Sequence, residues 1–442
     1  MDRKLSVIKV FCLLTFLLLL VIPNSFSQNI DYDRYGDVLR DGDYIKEKTT
    51  LTSRALSLPV TPLEIVRYGF DKTLSFLEEY HVPEKAIWLY KEFTSRDIYL
   101  SPSSGKHVKG IGGRVTLKKD KLFQLNPVVE NAGFIAWTGA STENYNESGG
   151  QIVLDNIFKS GIDAHQTFQY ENRPREDFFG VGRRSSLGDS NTYDYQRMQY
   201  GTQFSKEIEL IWGRLSLEAN YKFNDVKISN GHDTGKRDIQ DFFQESALSG
   251  VNGGDYHTLG FNLFHDDRDN KNNPTRGGYR QFSMDYNQGT DGADFEYAKY
   301  KFEVAQFISI LKPENILALR VAGEYNDKVD GGTLPFFDMA RLGGSDTLRG
   351  FQYNRFFDNS AVWLNLEYRY NIWKYRDFKV NFAPFLDMGT IFGEGDDFEF
   401  SNAEFSYGGA FRFRVVEKVV FNVEVAKSND GFEVYLRSKA PF

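Results

Sequence analysis

The chain has 442 residues, a net charge of −8, a mean hydropathy of −0.46 and an aromatic content of 16%. Its acidic balance speaks against a nucleic-acid partner, because phosphate binding wants a basic face, and the low hydropathy without a later apolar span excludes a helical membrane protein. The one cysteine, Cys12, lies in an N-terminal apolar run, so a mature chain processed as described below would carry no disulfide, no thiol chemistry and no Cys-based metal site.

Arg3, Lys4 and Lys9 stand before or at the start of that run, Val10 to Ile22, and Ser25 and Ser27 take the small-residue positions of a cleavage site. This pattern predicts a secretory signal over residues 1–27, cut after Ser27. From 28 to 107 strand alternation is absent. Thr61-Pro62-Leu63-Glu64 reads as a capping box, followed by Ile65, Val66, Phe70, Leu74 and Leu77 at helical spacing. Pro83 starts a second short helix carrying Ile87, Trp88 and Phe93. The expectation is a periplasmic N-terminal region with two short helices, whose apolar stripe could pack between the helices or lie on a barrel mouth, a membrane surface or a partner.

From 108 to 442 the chain alternates with period two. Val362, Leu364, Leu366, Tyr368, Tyr370 and Ile372 fall on one face, and Asn365, Glu367, Arg369 and Asn371 on the other. The same oily and ionic faces recur in Phe378–Met388, Phe411–Val415, Val419–Val425 and Phe432–Arg437, with Arg412, Arg414, Glu424 and Arg437 on the polar side. Ten rougher segments precede them, and one further strand is placed between 119 and 129. A soluble β-sandwich also alternates, but the signal sequence, the strands of ten or more residues, the Gly/Asp/Asn-rich connections and the terminal Phe442 favour a membrane. The predicted fold is all-β: a transmembrane antiparallel β-barrel of about 16 strands over 108–442, behind a small N-terminal helical segment. The 25 Tyr and 39 Phe suit aromatic girdles at two membrane interfaces.

Residues 327–360 form a long connection rich in apolar side chains, including Leu334, Phe336, Phe337, Met339 and Leu342, which predicts a folded loop. Within it, Gly343-Gly344 precede Leu348-Arg349-Gly350-Phe351. This run resembles the signature of the BamA/TamA superfamily of outer-membrane assembly factors and two-partner secretion transporters, the bacterial surface antigen family. Glu367, Asp387 and the segment Asn273-Pro274-Thr275-Arg276-Gly277 match further positions of that family. The resemblance implies an inward-folding loop. It also implies a weakly paired lateral seam between first and last strands, placed here at Gly110 and Gly112 against Gly431 and Phe442. Members typically carry periplasmic POTRA modules, and none is legible here, so the chain looks like a POTRA-less member.

Alternation puts Glu367 and Asp387 on the lumen face, where Arg349 could pair with them and fix the loop in register, with Gly343, Gly344, Gly350 and Phe351 shaping the turn. The functional expectation is assistance of polypeptide or lipid insertion or translocation at the outer membrane of a Gram-negative bacterium; the rival is a passive or structural pore that keeps the fold alone. Expected partners are the lipid bilayer, client outer-membrane or secreted polypeptides and a periplasmic accessory protein. His107, His165, His232, His257 and His265 accompany no nucleophile elbow and no metal-ligand spacing. His265-Asp266-Asp267-Arg268-Asp269 reads as a solvated strand end in preference to a cation site. No catalytic role, metal or cofactor is expected.

Overall fold

The computed structural model describes residues 81–442, apart from 105–110, 126–127, 184, 186, 232, 234, 242–247, 291, 311, 376–377, 394–401, 416–417 and 439. The expected signal sequence, the first helix, His107, Gly110 and His232 lie outside the described residues. Two compact units divide the chain, one ending at Lys85 and one running from Ala86 to Phe442.

The strands are β1 (Ile98–Ser104), β2 (Ile111–Leu125), β3 (Val129–Ser141), β4 (Asn146–Asp155), β5 (Ile162–Phe178), β6 (Asn191–Leu210), β7 (Gly213–Asn230), β8 (Arg237–Asp238), β9 (Gly253–Asp266) and β10 (Gly277–Gly289). They continue with β11 (Glu296–Ile310), β12 (Lys312–Lys328), β13 (Ala340–Leu342), β14 (Phe356–Asp358), β15 (Ser360–Tyr375), β16 (Phe378–Phe392), β17 (Glu404–Val415), β18 (Lys418–Lys427) and β19 (Phe432–Arg437). All but three of them make one up-and-down antiparallel ladder, β1 to β7, β9 to β12 and β15 to β19, which returns to β1. The other three are short: β8 lies parallel to the start of β6, and β13 and β14 pair inside the long loop. Among the described residues no helix is long and apolar enough to cross a membrane, so the strands are what can span it.

The period-two sequence pattern becomes two walls. On β9, Leu259, Phe261 and Leu263 are exposed outward, while Thr258 and Asn262, of the opposite parity, hydrogen-bond inside to Asn287 (2.7 Å) and Glu218 (2.9 Å). Contiguous exposed apolar surface of this kind is unstable in water and stable in hydrocarbon.

One expectation about the strands is corrected. The missing strand is β1, ahead of residue 108, and not a segment between 119 and 129, where β2 simply continues to Leu125. Ile98–Ser104 reads IYLSPSS, with a proline and three serines that blur alternation. Pairing along β2, from Ile98↔Leu117 to Ser104↔Ile111, is what makes it a strand.

The second predicted helix spans Val82–Thr94. Its Ala86, Ile87 and Tyr90 pack on Ile372, Phe378, Val380 and Val415, all buried. Phe378 and Val380 share the outward parity of Leu386, which is exposed, whereas Asp387 faces the lumen. The helix residues therefore cover the outer wall near the turns that join β15 to β16 and β17 to β18.

The loop between β12 and β15 folds inward. Leu334, Phe336, Phe337 and Phe357 join Phe178, Tyr193, Tyr256, Phe295 and Tyr297, which lie on or beside β5, β6, β9 and β11, in one buried cluster. Phe336 meets Phe178 and Tyr193 edge-on, at centroid distances of 5.4 and 5.1 Å, the arrangement that aromatic quadrupoles favour. A second buried cluster joins Leu342, Leu348, Phe351 and Phe356 to Ala361 and Ile391. The loop is thus anchored on two walls of the lumen.

Candidate functional site: a latched loop and a thin seam

Arg349 is fully buried, and every arm of its guanidinium is used. Nε and Nη2 donate to the two oxygens of Asp387 at 2.9 and 2.6 Å, a bidentate fork, and Nη1 donates to Glu367 Oε1 at 2.6 Å. The Arg349 backbone N–H adds a 3.0 Å bond to Asp387 Oδ2, and the Phe385 ring lies 3.4 Å beneath the guanidinium carbon. Adjacent strands hold the carboxylates: Asn365 on β15 faces Asp387 on β16, and its Nδ2 bonds both Asp387 Oδ1 and the Thr347 carbonyl at 2.7 Å.

The network extends beyond the three residues expected from sequence. Glu367 also accepts from Arg412 (2.8 Å) and Arg369 (3.0 Å). Glu424 lies 3.5 Å from Arg349 and 3.0 Å from Arg437, which also bonds Asp346 in the loop at 2.7 Å. Strand alternation already put Arg369, Arg412, Glu424 and Arg437 on the polar face; nothing in the sequence said which of them would meet. Sharing the buried Glu367 and Glu424 among several guanidinium groups, and forking Asp387 onto Arg349, offsets the desolvation that an isolated buried ion could not bear.

Around Arg349 the backbone leaves no spare room. Gly343 and Gly344 adopt φ of +108° and +96°, the region that favours glycine. Phe351 is buried, its carbonyl accepts from the Tyr435 hydroxyl at 2.9 Å, and Ser428 donates to the Gly350 carbonyl. A Cβ on Gly350 would stand 2.6 Å from the Lys427 carbonyl carbon and oxygen, on the wall itself. Gly350→Ala is therefore expected to lift the loop at a cost of about 1–3 kcal/mol. Limited proteolysis of the folded barrel should then cut within 343–359, where the parent resists, and an unchanged digestion pattern would refute the fit.

The seam differs from expectation in its members. β19 pairs with β1, and the described ladder between them holds the single register pair Ser103↔Arg437. Gly112 lies on β2, one strand in, paired to Ser103 and Ser141. Gly431, at φ +141°, belongs to the turn from β18 into β19. Phe442 leaves the wall altogether. The chain turns inward after Arg437, and Phe442 packs on the buried lumen cluster of Tyr279, Ala305, Phe307, Ile316 and Ala318. Arg320 and Arg369 stand 5.0 and 5.2 Å from its ring, Arg369 donates to the Phe442 carbonyl (2.8 Å), and Arg320 donates to that of Pro441 (3.2 Å). A lumen lined with cations facing a terminal aromatic ring outcompetes a ladder that Pro441 cannot continue as a donor.

The acidic stretch after β9 is internally occupied. Asp266 takes a bidentate fork from Arg268 at 2.8 Å on both oxygens, Asp267 accepts from Arg280 at 3.1 Å, and Asp269 accepts from the Thr275 backbone at 2.9 Å. This last bond organises the Asn273–Gly277 turn that opens β10.

An apolar outer wall around a polar, loop-filled lumen defines the class of protein: an outer-membrane β-barrel. The Omp85 superfamily domain matches residues 139–426, well over half of the chain, and the chain belongs to that superfamily. It is 26% identical over 149 residues to the outer membrane protein assembly factor BamA of Nitratidesulfovibrio vulgaris, a match covering 31% of this chain and 18% of that protein. The match thus spans under a fifth of that relative. Among solved structures, BamA from Haemophilus ducreyi lacking POTRA domains 1-3 superposes with a TM-score of 0.56 at 14% identity, covering 77% of this chain and 69% of that one. CdiB from Escherichia coli gives 0.52 at 11% identity, with coverage of 76% and 61%. The structural likenesses carry the fold; membership of the superfamily implies the Gram-negative outer membrane.

Proposed function

We propose that this chain is a non-catalytic barrel that assists insertion or translocation of polypeptides at the outer membrane, through the seam between β1 and β19. The observation that carries the reading is the thinness of that seam among the described residues, a single register pair. Below Ser103↔Arg437, the edges of β1 (Ile98–Pro102) and of β18 (Lys418–Phe421) have no partner in the described ladder between them. Unpaired strand edges are templates for an incoming strand, which supplies main-chain hydrogen bonds without a fixed sequence. The natural client is an extended, alternating segment of another barrel or secreted chain. The latched loop supports the wall on β15 to β18 while the seam exchanges partners, and a periplasmic accessory protein would deliver the client.

The loop-crossed lumen favours this over a passive pore. Depletion of the protein followed by quantitative proteomics of the outer membrane tests it. Loss of specific client barrels or secreted chains is the expected result; an unchanged outer-membrane proteome, with a small gated conductance in planar bilayers, would support the passive reading instead.

A further inference from the structure

The helix Val82–Thr94 has a buried face and an exposed apolar remainder. Ala86, Ile87 and Tyr90 cover the outer wall at Phe378, Val380 and Val415, yet Trp88 is 64% exposed and Leu89 47% exposed. Those strand positions flank the β15–β16 and β17–β18 turns, on the same end of the up-and-down barrel as the β2–β3, β4–β5 and β6–β7 turns. That end carries a rim of exposed apolar side chains: Leu122 and Phe123, Phe158 at 71%, and Ile211 and Trp212 in the β6–β7 turn. Trp88 and Leu89 extend the same rim where the wall itself is covered. At 100° per residue, Leu89 and Phe93 fall on one flank of the buried face and Lys91 on the other, with Trp88 opposite the barrel.

We propose that this helix is an interfacial membrane element, lying in the headgroup boundary of the leaflet at the turn end of the barrel, with Leu89 and Phe93 directed into the acyl region and Trp88 at the headgroups. Its ligand is phospholipid of that leaflet. A tryptophan with its apolar body in the boundary and its N–H toward water is the residue such a site favours. Lys91 and Glu92 balance each other, so the insertion depends on apolar area, not on anionic lipid. The helix thereby replaces a strip of lipid on β15 to β17 with protein and moves the first ring of lipid outward, on the wall that approaches the seam.

The test uses the full chain reconstituted in phosphatidylethanolamine/phosphatidylglycerol vesicles, with Leu89→Cys and, separately, Lys91→Cys labelled by an environment-sensitive fluorophore. A parent carrying only Cys12 gives the background, and heat-modifiable mobility shows that each variant is folded. The expected result is several-fold stronger quenching at 89 than at 91 by lipids bearing a nitroxide high on the acyl chain. Shielding of position 89 from aqueous iodide, and the same pattern at high salt and without phosphatidylglycerol, complete the expectation. Equal iodide access at both positions with no lipid quenching at 89 would overturn the proposal, and so would lipid quenching that disappears with salt.

Discussion

Replacing Arg349 by alanine is expected to release the long loop from the wall at a cost of roughly 3–5 kcal/mol, the penalty for removing one member of a buried ion pair. The size follows from what stays behind. Asp387 loses both side-chain bonds of the fork, and Glu367 loses its 2.6 Å donor, so keeping the loop seated would leave two buried carboxylates short of counter-charge. Arg412 and Arg369 still serve Glu367, so Asp387 is the more exposed to the loss. Arg349→Lys keeps the charge without the planar fork and should fall between parent and alanine. Arg349→Glu places a fourth carboxylate among Glu367, Asp387 and Glu424 and should be worst. Heat-modifiable mobility across a temperature series, with protease access to 343–359, measures the order. Parent-like melting of the alanine variant would remove the latch from the account.

The second large effect concerns the chain end. In an antiparallel ladder one step along β1 is matched by one step back along β19, so continuing from Ser103↔Arg437 would set Leu100 opposite Ala440 and Ile98 opposite Phe442. Ala440 and Phe442 are thus in register with the open half of the seam, but Pro441 and Phe442 are held in the lumen. Two cation–π contacts on Phe442 are worth about 0.5–2 kcal/mol each, so their loss shifts a tail equilibrium on the order of tenfold or more. The chain bearing Leu100→Cys and Ala440→Cys is expected to form little disulfide with Phe442 in place, and much more once Phe442→Ala is added. Arg369→Gln, which removes the 2.8 Å bond to the terminal carbonyl, should act in the same direction. Equal disulfide yield with and without Phe442 would show that lumen docking does not govern the seam.

The features legible in the sequence are those with a local signal. Period-two alternation from Ala361 onward needs only neighbouring residues, so it placed Glu367 and Asp387 on the lumen face, and both are buried there against Arg349. Apolar residues between two strands pointed to a folded loop, and Phe336, Phe337 and Leu342 are among its buried anchors. Ile98–Ser104 carries no strand signal of its own, because its strand character comes from pairing with β2. Phe442 departs from the expected seam for a related reason: an aromatic residue there fits a ladder as well as a pocket, and only the convergence of Arg320, Arg369 and Phe307 decides between them.

By itself, then, the sequence determined the barrel and the two faces of its strands, since these follow from spacing along one stretch of chain; the inward loop was what the family resemblance implied. Tertiary structure alone decided where the ring closes, which arginines share Glu367 and Glu424, that the last residues enter the lumen and that a helix covers the outer wall. Those outcomes depend on segments far apart in the chain competing for the same edge, pocket or surface, and the winner is set by burial and charge that exist only once the barrel has formed.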